Sequence, residues 1–138
     1  MNAYEIMAPV GSREALAAAL QAGADSIYFG IEALNMRAHS ANHFTIRDLH
    51  EIAETCANHG VKSYLTVNTI IYDTDLELMQ QICRAAKEAG ISAVIASDVA
   101  VLSYGQDIGQ EVHLSPQLNI SNVEALRFYA RFADVAVL

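Results

Sequence analysis

Gly60-Val-Lys-Ser-Tyr-Leu-Thr-Val67 decides the fold once it is set beside two other stretches, Gly23-Ala-Asp-Ser-Ile-Tyr-Phe-Gly30 and Gly90-Ile-Ser-Ala-Val-Ile-Ala-Ser97. Each follows a helical pattern, ending Gln21-Ala22, Asn58-His59 and Glu88-Ala89. A glycine at that point takes the left-handed conformation that stops a helix, at little steric cost. The short apolar, partly β-branched run that follows is a buried strand. The unit is therefore helix, glycine stop, tight turn, strand, three times over.

Helix starts are also marked. Thr45-x-x-Asp48, Thr74-x-x-Glu77 and Ser121-x-x-Glu124 read as capping boxes or close variants, Ser12 as the cap of the first helix and Asp98 as the cap of a short fourth. The predicted strands cover about 5–8, 26–29, 62–67, 93–96 and 111–114, with a sixth starting near Val135. The predicted helices cover about 13–22, 46–59, 75–89, 99–106 and 123–132.

Strict alternation of strand and helix gives a parallel sheet with right-handed crossovers. An open doubly wound sheet and a barrel both satisfy this. No Gly-x-Gly-x-x-Gly follows strand 1, whereas polar residues collect after several strands, as on the C-terminal face of a TIM-type (β/α) barrel. The expected fold is α/β: residues 1–138 form the N-terminal part of a single parallel barrel domain, about five βα units and the start of strand 6. A complete barrel takes roughly 250 residues. The predicted partial barrel has open edges, so self-association, or completion by further chain, is expected.

Composition narrows the class. Of the 138 residues, 53% are hydrophobic and 17% charged, which fits strands buried on both faces. The net charge of −8 argues against a nucleic-acid footprint within these residues. The opening MNAYEIMAPV has neither the basic start nor the apolar core of a secretory signal, and no apolar run reaches the roughly 20 residues of a membrane span. Two cysteines are too few for a disulfide framework. A cytoplasmic protein with no membrane partner is expected.

The predicted strand ends bring together Ala8 to Ser12; Gly30, then Asn35 and Arg37; Asn68-Thr69; Ser97-Asp98; and Ser115-Pro116-Gln117, with Asn119 and Asn122. This set has one strong cation, several amides, no paired carboxylates and no Ser-His-Asp arrangement. Arg37 is suited to bidentate binding of a carboxylate or phosphate, and equally to pairing with an acidic neighbour on a surface loop. Asn68 reads as a ligand contact or as a strand-end cap. Asp98 reads first as a helix cap, and His113 first as a packed or hydrogen-bonded histidine. His39 and His43 lack companion ligands, so no metal site is expected. Cys56 and Cys83 read as buried small hydrophobes on helices 2 and 3.

Several of these stretches resemble peptidase family U32. Ala8-Pro-Val-Gly-Ser12 is similar to the family's L-A-P-A-G-S opening. Tyr28-Phe-Gly30 with Asn35-Met-Arg37-Ala38 resembles Y-x-G…N-x-R-A, and Thr66-Val-Asn68-Thr69 resembles T-x-N-T. Ser97-Asp98 stands where the family has Q-D-x-G, and His113-Leu-Ser115-Pro-Gln117-Leu-Asn119 resembles H-x-S-T-Q-x-N. The departures are Ser97 for Gln, Val99-Ala100 for Leu-Gly and Pro116 for Thr.

The resemblance implies a barrel and one of two activities. The family name implies proteolysis, whereas other members take part in hydroxylation of tRNA or ribosomal RNA bases or of a ubiquinone precursor. It further implies an iron–sulfur cluster on four cysteines later in the full-length chain, with no cofactor in these residues and no activity of these residues alone. On this basis the candidate substrate contacts are Asn35, Arg37, Asn68, Asp98, Gln117 and Asn119, facing RNA or a small anionic substrate. Catalytic residues are not identified. A peptidase, or a non-catalytic barrel scaffold, remains as an alternative.

Overall fold

The computed structural model describes residues 4–31 and 44–138. Six parallel strands alternate with helices: β1 (Met7–Pro9), α1 (Arg13–Gln21), β2 (Ser26–Gly30), α2 (Leu49–Asn58), β3 (Lys62–Val67), α3 (Leu76–Ala89), β4 (Ala93–Ala96), α4 (Val99–Asp107), β5 (Val112–Leu114), α5 (Val123–Tyr129) and β6 (Val135–Ala136). The strands lie in the order β1-β2-β3-β4-β5-β6, each parallel to the next. This order separates the two architectures left open by the sequence. A doubly wound sheet reverses its strand order at a switch point; a barrel adds each strand beside the last. The sheet is a curled half-barrel.

The two faces differ as a barrel requires. Ile27 and Phe29 of β2, Leu65 and Val67 of β3, Val94 and Ala96 of β4, and Val112 and Leu114 of β5 all pack into one core with the helices. The helices answer with matched stripes: Leu49, Ile52, Ala53 and Cys56 on α2, and Met79, Ile82, Cys83 and Ala86 on α3. Both follow the i, i+3, i+4, i+7 spacing of a single buried face. The intervening strand residues point the other way, and Tyr64, Ala93 and Ile95, with Tyr28, form a separate cluster on the concave face.

The glycine stops are present. Gly90 closes α3 at φ 85° with its amide turned back to the carbonyls of Ala86 and Lys87. Gly23 and Gly60 are likewise left-handed. The unit occurs a fourth time, at Gly109 (φ 68°) before β5, where α4 is short enough to hide the repeat in the sequence. Gly105 serves another purpose: an added Cβ there would stand 2.5 Å from Val112 Cγ2, so α4 seats directly on β5.

Three element boundaries differ from the sequence expectation. Strand β1 starts at Met7 rather than near Glu5, because the Ile6 amide bonds the Asp25 carboxylate at 2.8 Å and its carbonyl takes the Asp25 and Ser26 amides. Helix α2 is preceded by a 3-10 turn over Ile46–Asp48. Helix α5 ends at Tyr129, in a turn closed by Phe132 N–H to Tyr129 O.

The caps are part confirmed, part corrected. Ser12 Oγ accepts the Ala15 amide at 3.1 Å, and Asp48 accepts the Thr45 amide at 2.7 Å. Thr74, however, lies inside a 3-10 turn, Asp73–Asp75, and Asp75 takes the Tyr72 amide at 3.0 Å instead. Asn122, not Ser121, caps α5, accepting the Ala125 amide at 2.9 Å; asparagine caps as well as serine does, one residue nearer the helix.

Candidate strand-end site

The C-terminal ends of β3, β4 and β5 converge. The register pairs Val67 with Ala96 and Ala96 with Leu114, so Asn68, Ser97 and Ser115 stand side by side just past the strands. Ser97 Oγ lies 3.2 Å from the Asn68 carbonyl and 3.3 Å from Gln117 Oε1. A hydroxyl has one hydrogen, so it donates to one of these at a time. Serine in this place thus links the ends of β3 and β5 through β4.

Asn68 Oδ1 and Thr69 Oγ1 are buried and lack hydrogen-bond partners. Burying a polar atom unpaired costs free energy comparable to a lost hydrogen bond. Such atoms beside a ring of amides and hydroxyls suit a ligand that brings donors. Gln117 sits in a 3-10 turn, Pro116–Leu118, started by Ser115 Oγ accepting the Gln117 amide at 3.4 Å. Asn119 ends that turn in a left-handed conformation (φ 50°) and its Nδ2 donates to the Gln117 carbonyl at 3.2 Å. Its side chain therefore braces the turn that presents Gln117.

Asp98 is a different kind of residue from its neighbours. One carboxylate oxygen caps α4 through the Ala100 amide at 2.9 Å, and the other accepts the Ile71 amide at 3.0 Å. Both oxygens hold backbone, which makes Asp98 the anchor of the β3–α3 loop. Asn35 and Arg37 lie outside the described residues. The structure thus brings Asn68, Gln117 and Asn119 together, with Ser97 between them.

A second polar group on the concave face was not foreseen as a group. Tyr64 OH donates to Glu5 at 2.7 Å, Lys62 Nζ stands 3.1 Å from the same carboxylate, and His113 Nε2 is 2.7 Å from Glu111. The Tyr64 and His113 rings are 4.8 Å apart. Burial pushes the Tyr64 phenol up, and the nearby Glu5 and Glu111 charges add to this. Burial raises Glu5 too, but the hydroxyls of Ser26 and Tyr64 and the Lys62 ammonium outweigh it and hold the carboxyl below its usual range. The sequence signal was the alternation Glu111-x-His113, which puts both on one strand face.

The cysteines are poor candidates for a cluster. Cys56 and Cys83 are each 1% exposed on the sheet-facing sides of α2 and α3, and burial pushes both thiols up to about 11. A cluster needs thiolates on an accessible site, so these two do not fit one. Among the described residues no three His, Cys, Asp or Glu side chains form a metal-binding group, and no helix is long and apolar enough to cross a membrane.

Parallel strands in sequential order, with polar side chains gathered at their C-terminal ends, define a segment of a (β/α) barrel enzyme fold with its ligand end at that rim. The profile of peptidase family U32 matches residues 11–137, and the chain belongs to that family. It is 68% identical over its whole length to a collagenase of Porphyromonas gingivalis (strain ATCC BAA-308 / W83), covering 33% of that protein. It is 29% identical over 91% of its length to tRNA hydroxylation protein P1 of Bacillus subtilis (strain 168), covering 30% of that protein. The solved U32 peptidase Mk0906 superposes with a TM-score of 0.75 over 99% of this chain and 60% of its own, at 11% identity. The chain spans about a third of the length of the curated relatives it matches.

Proposed function

We propose that this chain is the rim-bearing part of a U32 protein that takes part in hydroxylating an RNA base. The observation that carries this is the pair of unpartnered buried acceptors at Asn68 and Thr69 beside Ser97 and Gln117. Amides and hydroxyls at that spacing are the groups that read the edge of an unstacked base. The Bacillus subtilis relative, named for tRNA hydroxylation, supports the same substrate class. In this reading Asn68 and Gln117 contact the base, Asn119 holds the Gln117 turn, and Asp98 holds the Asn68 loop. Arg37 and Asn35 are proposed from their motif alone, Arg37 for a phosphate or carboxylate. The acidic net charge places most phosphate contacts on other parts of the protein.

Proteolysis is the second reading, favoured by the 68% identity to a protein named collagenase. Glu111, His113 and Ser115 share one strand face, but Ser115 Oγ takes the Gln117 amide, and no hydrogen bond joins it to His113 among the described residues. The nucleophile is therefore not assembled.

The iron–sulfur cluster expected of the full-length protein is proposed to use cysteines other than Cys56 and Cys83. Iron content and absorption of the complete protein, purified without oxygen, test this. About four iron per chain, retained when both cysteines are replaced by alanine, is the expected result. An iron-free, colourless protein counts against base hydroxylation and returns proteolysis to the front.

A further inference from the structure

We propose that His113, oriented by Glu111, is a proton acceptor inside the barrel for a planar ligand that carries a weakly acidic N–H or O–H. Inward layers of a (β/α) barrel are ordinarily filled by branched apolar side chains. Here the concave face carries Glu5, Lys62, Tyr64, Glu111 and His113, with only Ala93 and Ile95 contributed by β4. Polar groups buried in that position are unfavourable unless each is hydrogen-bonded.

Most of the capacity is used. Tyr64 and Lys62 bond Glu5, and His113 Nε2 bonds Glu111 at 2.7 Å. Two atoms of this cluster are left over: Ser26 Oγ and, among the described residues, His113 Nδ1. A carboxylate on Nε2 selects the tautomer with its hydrogen there, leaving the Nδ1 lone pair free. An imidazole that is 6% exposed, stacked on Tyr64 and fixed by a carboxylate is the base-and-orienter arrangement of general base catalysis.

The position is suitable. His113 lies two residues below Ser115, about 6.6 Å along the strand, so a ligand at the rim approaches it from above. The proton leaves the ligand N–H or O–H and joins Nδ1; the ligand keeps the electron pair, and Glu111 stabilises the imidazolium. Only the probe below rests on the proposed base chemistry, since the tautomer is a property of the barrel alone.

The complete protein labelled with 15N-histidine tests this by long-range 1H–15N correlation at pH 7.5. The His113 signals are assigned by their loss in His113→Gln. The expected result is a protonated Nε2 and an unprotonated Nδ1, collapse to a tautomer mixture in Glu111→Ala, and a shift of Nδ1 toward the protonated position as uridine, which carries an imide N–H, is added. Glu111 is about half exposed, so its removal leaves the fold in place. A hydrogen on Nδ1 in the free protein, indifference to Glu111→Ala, or an Nδ1 signal unmoved by uridine overturns the proposal. An unchanged RNA nucleoside profile on loss of the gene would sink base hydroxylation while leaving the tautomer result standing.

Discussion

The Asp98 carboxylate bonds the Ile71 amide at 3.0 Å across 27 residues of sequence, while its second oxygen caps α4. One side chain thereby fixes both the start of a helix and the loop that carries Asn68 and Thr69. The sequence permits either role for an aspartate after a strand, cap or ligand contact; the loop anchor is visible only in three dimensions.

Asp98→Asn is expected to destabilise the chain by about 1–3 kcal/mol, since an amide nitrogen turned toward either backbone N–H leaves a donor unpaired. Urea unfolding measures this. The loss should also disturb Asn68 and Thr69 before distant amides, as read by hydrogen exchange at 69–72. An unchanged midpoint would show that Asp98 does not hold the loop.

Gly105→Ala is expected to destabilise by about 1–3 kcal/mol through overpacking, because the new methyl falls 2.5 Å from Val112 Cγ2. Adding Val112→Ala should recover part of that loss, a non-additivity that a double-mutant cycle detects. Strict additivity would mean α4 does not seat on β5 as described.

The cysteines give a pH dependence. Their folded pKa is raised from the ordinary 9.0 to about 11 by burial. Below pH 9 both states hold the thiol proton and the stability is intact. Between 9 and 11 only the unfolded state releases it, so stability falls with rising pH, by up to about 1.4 kcal/mol per pH unit for each thiol. Denaturant midpoints from pH 8 to 11 test this, against Cys56→Ala and Cys83→Ala, whose alkaline limbs should be flatter. Native thiols should also resist alkylation at pH 8.

The two edge strands, β1 and β6, leave backbone groups open to pairing. The 138-residue chain alone is expected to self-associate, as read by sedimentation at several concentrations. A monodisperse monomer with a cooperative melt would contradict this.

Much of the fold was legible because it is local. The glycines at 23, 60 and 90 mark helix ends through backbone conformation alone, and β3 and β4 are found over the residues expected, 62–67 and 93–96. Strand order was legible only as one of two options, since it depends on contacts between units. The site was legible in part. Asn68, Gln117 and Asn119 follow strands, so their rim position follows from topology. Ser97 as a bridge, Asp98 as an anchor and the Glu5–Tyr64 and Glu111–His113 pairs rest on contacts between strands, which one-dimensional spacing does not carry. Thr74 and Ser121 misled because Asp75 and Asn122 cap equally well a residue away.

Mass spectrometry of nucleosides from tRNA and ribosomal RNA is the most direct measurement, comparing a strain with the complete gene, one without it, and one carrying Arg37→Ala. Base hydroxylation predicts that a hydroxylated pyrimidine nucleoside disappears with the gene, returns with the wild type, and falls at least about tenfold with Arg37→Ala, the loss of one charge-assisted contact. An unchanged nucleoside profile, together with gene-dependent cleavage of collagen, would contradict it.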